Sequence, residues 1–332
     1  MWFETLTGFP EESPEQVRAN ISVDGNALKS HVNGKVLICG ELETPSLAEL
    51  RERVDSGGLR GGKISVREVV ADVQGLHTDE SNAGSLFQVA SQFNLLEMMS
   101  PSVTPERGVG IYENDHTQGP ACAVAAGAGT IYRNYFAIVN GRIGQSAVNQ
   151  IDCLADVGTA LGNSDGRLWE MRNGYALASH GGLVEISNRL RAASENELDD
   201  LRRLLRIGVQ WDTQVTIKGS GHTVSQAYCS ALPVAYSSHP PGLWSEFARL
   251  VLEASYEATI CAAILNSMRN GNNRLYLTLL GGGAFGNETD WILGGLQRAL
   301  NLYGHVDLDV AIVSYGSSKQ YIRELVNRTH AG

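Results

Sequence analysis

Residues 281–286 form a glycine-rich segment that could bind an anion through its backbone. In the stretch LTLLGGGAFGNETDW, residues 277–291, an apolar run leads into Gly281, Gly282 and Gly283, and Gly286 precedes an acidic helix start. A strand that ends in residues without side chains, just before a helix N-terminus, presents peptide N–H groups with no Cβ in the way. We expect these amides to hold a diphosphate. Phe285 would then face a sugar or base or, equally well, pack in the core.

The same glycines also fit a dinucleotide-binding loop or a simple tight turn. Gly281, Gly283 and Gly286 fit the G-x-G-x-x-G pattern between a strand and a helix, and Asp309 follows about twenty residues later, as in dinucleotide-binding domains. Against this, a dinucleotide domain continues through further strand–helix units, whereas one predicted strand follows the motif. The glycines could also serve a tight turn alone.

Two further glycine motifs are weaker. GGLRGGKI, residues 57–64, has the phosphate-loop spacing, but Ile64 replaces the Ser or Thr that would bind magnesium, and a helix rather than a strand precedes it. GNSDG, residues 162–166, matches G-x-S-x-G, yet no apolar strand precedes Ser164 to form a nucleophile elbow. We therefore predict a turn at residues 162–166 and no nucleotide hydrolysis at residues 57–64.

A loop-rich segment, SPSVTPERGVGIYENDHTQGP, supplies carboxylates. Residues 100–120 contain three prolines and the side chains of Glu106, Glu113 and Asp115. Asp79 lies in a second acidic segment, HTDESN, where capping of a helix is the competing role. Histidines lie near both segments without metal-ligand spacing, so we predict no metal site.

The elements that must position these residues alternate between strand and helix patterns. A long helix is predicted from Ser85, with Ser85 and Gln88 as a capping box and with Gln88 and Gln92 on one polar face. This alternation favours an α/β domain with a largely parallel sheet that is covered on both faces. The other predicted elements are extended segments at 36–42, 64–73, 209–219, 225–237, 274–280 and 306–316, and helices at 46–55, 121–129, 194–206, 243–269, 291–302 and the C-terminus.

Several of these stretches together resemble the macrodomain superfamily. LTLLGGGAFGN is similar to the second ligand loop of its poly(ADP-ribose) glycohydrolase-like branch, CSALPVAYS and the helix after it are similar to the elements before that loop, and LHTDESNAGSLFQVASQFNLLEM resembles the first ligand loop and its helix. NAGSLFQVASQFN, TPERGVGIYENDHTQGPACA and GAGTIYRNYF together resemble the arginine-specific macrodomain ADP-ribosylhydrolases of bacterial effectors and their eukaryotic relatives. The match covers residues 66–136 and 211–315 and lacks the glycohydrolase signature of a GGG run followed by paired glutamates.

The resemblance implies a macrodomain-like three-layer α/β fold in a single domain, residues 1–332. Residues 1–65 would be an N-terminal extension and residues 140–210 a mid-chain helical insertion. It implies ADP-ribose as ligand and an ADP-ribosylated protein as substrate, with no cofactor. The residues expected to contact ligand are Asn82, Gly84, Gln92, Gly281, Gly282, Gly283, Ala284, Phe285, Gly286 and Asn287.

The reaction implied for such a protein is hydrolysis of the bond between ribose C1″ and a guanidine nitrogen of arginine. It passes through an oxocarbenium-like state, so it needs a carboxylate near the anomeric carbon and help for the attacking water. Asp115 is the first candidate for the general base. Glu113 and Glu106 could hold the guanidinium through bidentate hydrogen bonds, and Asp79 is a further candidate. A solvated acidic loop is the alternative for residues 106–115.

Composition narrows the remaining classes of function. The chain has 332 residues, 43% of them hydrophobic, and a formal charge of −10, which argues against a broad nucleic-acid surface. It has no long apolar run and no basic leader, so we expect a cytoplasmic protein without a membrane partner. Five scattered cysteines indicate neither a disulfide framework nor a zinc site. An ADP-ribose-binding module without turnover and a nicotinamide-dependent oxidoreductase stay as alternatives.

Overall fold

A seven-stranded sheet runs through the centre of the protein in the computed structural model, which describes residues 1–58 and 61–331. The strands are β1 Ile21–Asp24, β2 Ala27–Ser30, β3 Val36–Ile38, β4 Glu41–Glu43, β5 Ser65–Val70, β6 Leu86–Ala90, β7 Ile138–Val139, β8 Arg142–Ile143, β9 Trp169–Arg172, β10 Tyr175–Ala178, β11 Gly208–Gln214, β12 Thr223–Cys229, β13 Arg274–Leu277 and β14 Asp309–Ser314. The helices are α1 Trp2–Thr7, α2 Pro14–Asn20, α3 Leu47–Ser56, α4 Val73–Thr78, α5 Gln118–Ala125, α6 Gly127–Tyr135, α7 Ala155–Leu161, α8 His180–Ala192, α9 Glu195–Leu204, α10 Pro241–Asn270, α11 Thr289–Leu302 and α12 Gln320–Ala331.

The central sheet has the strand order β4-β11-β12-β6-β13-β14-β5. Strands β12, β6, β13, β14 and β5 are mutually parallel, whereas β11 runs antiparallel to both of its neighbours. The predicted α/β class with a largely parallel sheet is confirmed. Because these strands are parallel and adjacent, the C-terminal ends of β12, β6 and β13 lie side by side at the same end of the sheet.

Helices cover both faces of this sheet. Helix α10 packs against β12, β6 and β13 on one face and contacts α3, α8, α9 and α11, while α5 and α6 contact β6 and β11 on the other. Because α10 is covered on most sides, it is apolar around much of its circumference. It is followed by Gly271, whose φ of 81° allows the chain to leave the helix. Nowhere in residues 1–58 or 61–331 is a helix both long and apolar enough to cross a bilayer.

The helix predicted from Ser85 is wrong. Residues 86–90 are strand β6, hydrogen-bonded between β12 and β13. Both faces of this strand are covered by helices, so its apolar residues do not alternate with polar ones, and the pattern imitates a helical stripe. The capping box does not form, and Gln88 and Gln92 share no polar face, because Gln88 Nε2 donates to Thr259 Oγ1 inside the structure.

The other predicted elements are confirmed with shifted ends, except that two of them are each divided into two elements. The extended segment at 36–42 is divided between β3 and β4, which belong to two different sheets. The small-residue helix at 121–129 is two helices, α5 and α6, that meet at Ala126. Residues 162–166 follow helix α7 in a turn, as predicted, since Gly162 has a φ of 80°.

The proposed extension and insertion each have their own structure. Of the proposed extension, residues 1–65, the first 40 residues contain α1, α2 and the antiparallel sheet β1-β2-β3, and they share a second apolar core with α5 and α6. The rest of the extension includes α3 and β4, and β4 belongs to the central sheet. Residues 140–210 contain α7, the β9–β10 hairpin, α8 and α9. The single domain with these two additions stays a prediction. Residues 59 and 60, which belong to GGLRGGKI, and residue 332 lie outside the described residues.

Candidate functional site

A cavity of about 210 Å³ opens where β6, β12 and β13 end. Five segments of the chain surround it, and three of them follow parallel strands whose C-terminal ends lie together. Its walls are formed by Ala90, Ser91, Gln92, Glu97, Met98 and Met99 after β6, by Asp115, Thr117, Gln118, Gly119 and Pro120 at the start of α5, by Tyr175, Ala231 and Tyr236, and by Thr278, Leu279, Leu280, Gly281, Gly283, Ala284 and Phe285 after β13.

The glycine-rich loop presents free backbone donors to this cavity. Three of its amides bond within the loop: those of Gly282, Gly286 and Asn287 donate to Leu279, Gly283 and Gly281 at 3.0, 3.0 and 2.9 Å. Within this loop, four further amides have no hydrogen-bond partner among the described residues, and all four belong to residues that line the cavity. These four are Gly281, Gly283, Ala284 and Phe285. Such a set of donors suits an anionic group.

Two of the loop glycines are also needed for the turn itself. Gly281 has a φ of 77°, and a Cβ there would overlap the Cβ of Ala231. Gly286 has a φ of 68°, and a Cβ there would lie 2.8 Å from that of Ala235. Gly283 differs, because a Cβ at this position would meet nothing within 4 Å. A tight turn alone therefore accounts for Gly281 and Gly286 but leaves Gly283 unexplained.

Glu97 is a buried carboxyl group in the cavity wall that the sequence interpretation missed. Its side chain belongs to a residue that is 2% exposed, and its Oε1 has no hydrogen-bond partner among the described residues. Burial raises the pKa of Glu97 well above its ordinary value; the Arg133 guanidinium lowers it, and Asp115 raises it. Burial therefore favours the protonated form of Glu97, the form that can donate a proton.

A turn after β6 holds Glu97 in place. Gln92 Oε1 accepts a hydrogen bond from Met98 N at 2.9 Å, and Gln92 Nε2 donates to Met98 O at 3.2 Å. Leu95 in the same turn has a φ of 65°, an uncommon value for a branched side chain.

In sequence, Glu97 looks like one polar residue of the supposed helix, and no local signal separates it from a surface glutamate.

The start of α5 lies directly against Glu97. Gln118 Oε1 accepts from Ala90 N at 2.9 Å and its Nε2 donates to Gln88 O at 2.8 Å, so this side chain ties the helix start to β6. A Cβ on Gly119 would overlap both Ala90 O and Glu97 Oε2. Gly119 thus permits a close approach between the helix start and the carboxyl group.

Of the four predicted catalytic acids, the structure places Asp115 in the cavity wall. Asp115 Oδ1 accepts from Thr117 N at 2.9 Å and from Thr117 Oγ1 at 2.7 Å, which fixes the carboxylate at the entrance to α5. The other three lie outside the wall. Glu113 accepts from Trp2 N at 3.0 Å, Glu106 from Ala147 N at 2.8 Å, and Asp79 from Ser81 N at 2.9 Å.

The predicted ligand contacts before β6 lie at the other end of the strand. Asn82 Oδ1 accepts from Arg274 Nη1 at 2.7 Å and from Tyr276 Oη at 2.6 Å, and Gly84 O accepts from Asn266 Nδ2 at 2.8 Å. Residues 82 and 84 precede β6, whereas the cavity opens after its last residue. Gln92 lines the cavity, and Gly282, Gly286 and Asn287 belong to the glycine-rich loop without lining it.

Three aromatic rings form a further wall. Tyr175, Tyr236 and Phe285 pack together with ring centroids 5.1, 5.3 and 5.6 Å apart. Tyr175 comes from β10, in residues 140–210, and its hydroxyl donates to Met98 O at 2.7 Å. The three rings are inclined to one another by 44° to 75°, and an aromatic wall of this kind suits a sugar or a base.

The dinucleotide-binding alternative does not match this arrangement. The glycine-rich loop follows β13 inside the seven-stranded sheet. Asp309 is the first residue of β14 and lies beside Arg274, the first residue of β13, whereas the loop follows the last residue of β13. Asp309 therefore lies at the opposite end of the strands from the loop, where it forms an ion pair with Arg67. It cannot contact a ribose bound at the loop, which removes the basis of the oxidoreductase hypothesis. In the described ranges, no three His, Cys, Asp or Glu side chains are grouped to hold a metal ion.

Comparison with known proteins gives structural similarity without sequence similarity. No protein-family model and no curated protein matches the chain. The chain is similar to poly(ADP-ribose) glycohydrolase from Deinococcus radiodurans in complex with ADP-ribose, with a TM-score of 0.47 and 8% identity, covering 88% of this chain and 94% of that one. It is also similar to poly(ADP-ribose) glycohydrolase from Thermomonospora curvata, with a TM-score of 0.43 and 11% identity, covering 95% of each. At these values the likeness carries no argument about ligand or mechanism.

Proposed function

We propose that this protein is an ADP-ribosylhydrolase, which binds ADP-ribose in the cavity and releases it from arginine side chains of proteins. One observation carries the proposal. Glu97, a buried carboxyl group with a raised pKa, and a second carboxylate, Asp115, line the same cavity as four free backbone amides. Anion donors beside an acid and a base are what hydrolysis of a diphosphate-bearing glycoside requires.

In this proposal the glycine-rich loop binds the diphosphate and directs the ribose toward the acids. The amides of Gly281, Gly283, Ala284 and Phe285 donate to phosphate oxygens. The described residues of the cavity wall include no lysine, so backbone donors would take the place of charged side chains. The ring of Phe285 packs against the sugar.

The two carboxyl groups then divide the chemistry. As the C1″–N bond breaks, Glu97 donates its proton to the departing guanidine nitrogen, so arginine leaves as a guanidinium ion. Asp115 accepts a proton from the water whose oxygen forms the new bond to C1″. Its negative charge also favours both the oxocarbenium-like state and the cationic leaving group.

The proposed choice of arginine rests on charge. Asp115 and Glu97 together offer a site that favours a departing cation, whereas an acidic leaving group would meet a carboxylate of the same charge. A neutral serine hydroxyl would leave the carboxylate charge unpaired, so release from both glutamate-linked and serine-linked ADP-ribose should be slow. An ADP-ribose-binding module without turnover would have no use for a buried proton donor in its ligand cavity.

Replacing Asp115 tests the proposal. Asp115→Ala should lower the release of ADP-ribose from an arginine-modified protein by about 10²-fold to 10⁴-fold, while calorimetry shows nearly unchanged ADP-ribose affinity. Glu106→Ala is the matched control, since Glu106 is a neighbouring acid outside the cavity wall, and it should keep normal activity. Equal rates on arginine-, glutamate- and serine-linked substrates, or full activity of Asp115→Ala, would refute the mechanism. ADP-ribose binding without any release would favour the binding module.

A further inference from the structure

We propose that Glu11, in the N-terminal extension, is a positioning residue that holds both cavity acids through residues 108–115. This inference rests on the proposed function, because it assigns Glu11 a part in that reaction. Glu11 does not line the cavity. Its effect would be transmitted by one short segment of backbone and by Tyr112.

Glu11 binds the turn that precedes Asp115. Its Oε1 accepts from Val109 N at 2.9 Å and from Tyr135 Oη at 2.6 Å, and its Oε2 accepts from Gly110 N at 2.6 Å. Two successive backbone amides thus converge on one carboxylate from a segment about a hundred residues away in sequence.

The turn is shaped to fit this carboxylate. Gly108 has a φ of 87°, and a Cβ there would lie 2.5 Å from Glu11 Oε2. A Cβ on Gly110 would lie 2.7 Å from the same oxygen. Both glycines therefore give the backbone room to close around Glu11, so the contact is a specific feature of the turn.

Tyr112 connects this turn to both acids. Its hydroxyl accepts a hydrogen bond from Glu97 N at 3.0 Å, and its carbonyl accepts from Asp115 N at 3.2 Å. Its own amide donates to Val109 O at 3.1 Å, beside the amide that Glu11 binds. Tyr112 is 1% exposed, so it has little room to move independently of the turn. A shift of residues 109–110 would therefore move the backbone at both Glu97 and Asp115.

A neutral variant of the same shape tests this connection. In Glu11→Gln, one end of the side chain becomes an NH₂ group, which cannot accept from a backbone amide. We expect kcat to fall about 10-fold to 100-fold, as for a small misplacement of catalytic groups, with ADP-ribose affinity within about twofold of wild type. Glu12→Gln is the control: it removes the same charge from the next residue, which is exposed. It should leave kcat unchanged.

Tyr112→Phe tests the second step. Removal of its hydroxyl takes away the acceptor for Glu97 N and should lower kcat by a similar factor while leaving ADP-ribose binding intact. If Glu11 acts through Tyr112, the double variant should lose less than the product of the two single losses. Independent, multiplicative losses would overturn the proposed route. A lower melting temperature of Glu11→Gln with normal kcat would show that Glu11 acts in stability alone.

Amide hydrogen exchange separates this inference from the proposed function. In Glu11→Gln, the amides of residues 109, 110 and 97 should exchange faster than in wild type, while those of α10 keep their protection. This holds whether or not the protein releases ADP-ribose. Inactive wild-type protein would refute the proposed function, and unchanged exchange at Glu97 would refute the positioning role of Glu11.

Discussion

Replacement of Glu97 by glutamine separates the proton-donor role from every other property of this site. Glutamine has the size of the protonated carboxyl group and, like it, carries no charge, so the variant should fold and bind ADP-ribose as wild type does. It has no acidic proton to give to the leaving nitrogen. Loss of a general acid costs about 10²-fold to 10⁴-fold in rate, which corresponds to about 3 to 5 kcal/mol of transition-state stabilisation.

The raised pKa of Glu97 adds a second, independent expectation. The folded protein holds this proton at pH values where the unfolded chain has lost it, so the folded state binds more protons and wild-type stability falls as pH rises toward the folded pKa. The glutamine variant has no such loss. Its melting temperature should match that of wild type at acidic pH and exceed it increasingly as pH rises.

Both expectations can be measured on the same preparations. The assays are single-turnover release of ADP-ribose from an arginine-modified peptide, calorimetry with free ADP-ribose, and thermal unfolding at a series of pH values. Wild-type release should also decline at high pH, where Glu97 loses its proton. A variant with normal kcat would refute the proton-donor role, and a melting-temperature difference that is constant with pH would refute the assigned protonation state.

The remaining predictions concern the glycines around the cavity. Gly119→Ala should displace Glu97 or the start of α5, which lowers kcat at least about tenfold and costs about 1 to 3 kcal/mol of stability. Release assays and denaturant unfolding measure these two effects, and normal values of both would show that the contact is not tight. Gly283→Val should remain folded, because a Cβ there meets nothing within 4 Å, but its side chain should screen the free amides. Calorimetry should then show ADP-ribose binding weakened about tenfold or more, which is about 1.4 kcal/mol. An unchanged Kd would mean that the loop does not bind the diphosphate. Gly281→Ala should instead lower the melting temperature, because the new Cβ would overlap Ala231.

The sequence allowed the α/β class and most helices to be predicted because their signals are local. The capping box of Ser46 and Glu49 marks the start of α3, and a left-handed glycine ends α10. Strand β6 could not be predicted in this way. Its neighbours in the sheet, β12 and β13, lie more than a hundred residues later in the chain, and burial on both faces erased the alternation that identifies a strand.

The backbone anion-binding loop of the candidate site could be predicted from the sequence, whereas most of the side chains that line the cavity could not. The free amides of residues 283–285 follow from glycine spacing at a strand-to-helix junction, which is a local property. The pKa of Glu97 is raised by burial in the folded protein, and Tyr175 reaches the cavity from residues 140–210 through the β9–β10 hairpin. Such roles depend on tertiary contacts, which residue patterns do not encode directly.

The parallel pairing of β5 with β14 affects how the chain can be assembled during synthesis. Ser65 lies opposite Asp309, so this edge of the sheet pairs residues 244 positions apart in a chain of 332. Strand β6 likewise pairs only after β12 and β13 have been synthesised. Long-range pairing of this kind is slow, because the entropy of loop closure is lost before the contacts form. A nascent chain that ends before residue 274 lacks β13 and leaves one side of β6 unpaired, an edge that is open to aggregation. The ligand cavity can therefore form only after residues 278–285, which line it, have left the ribosome.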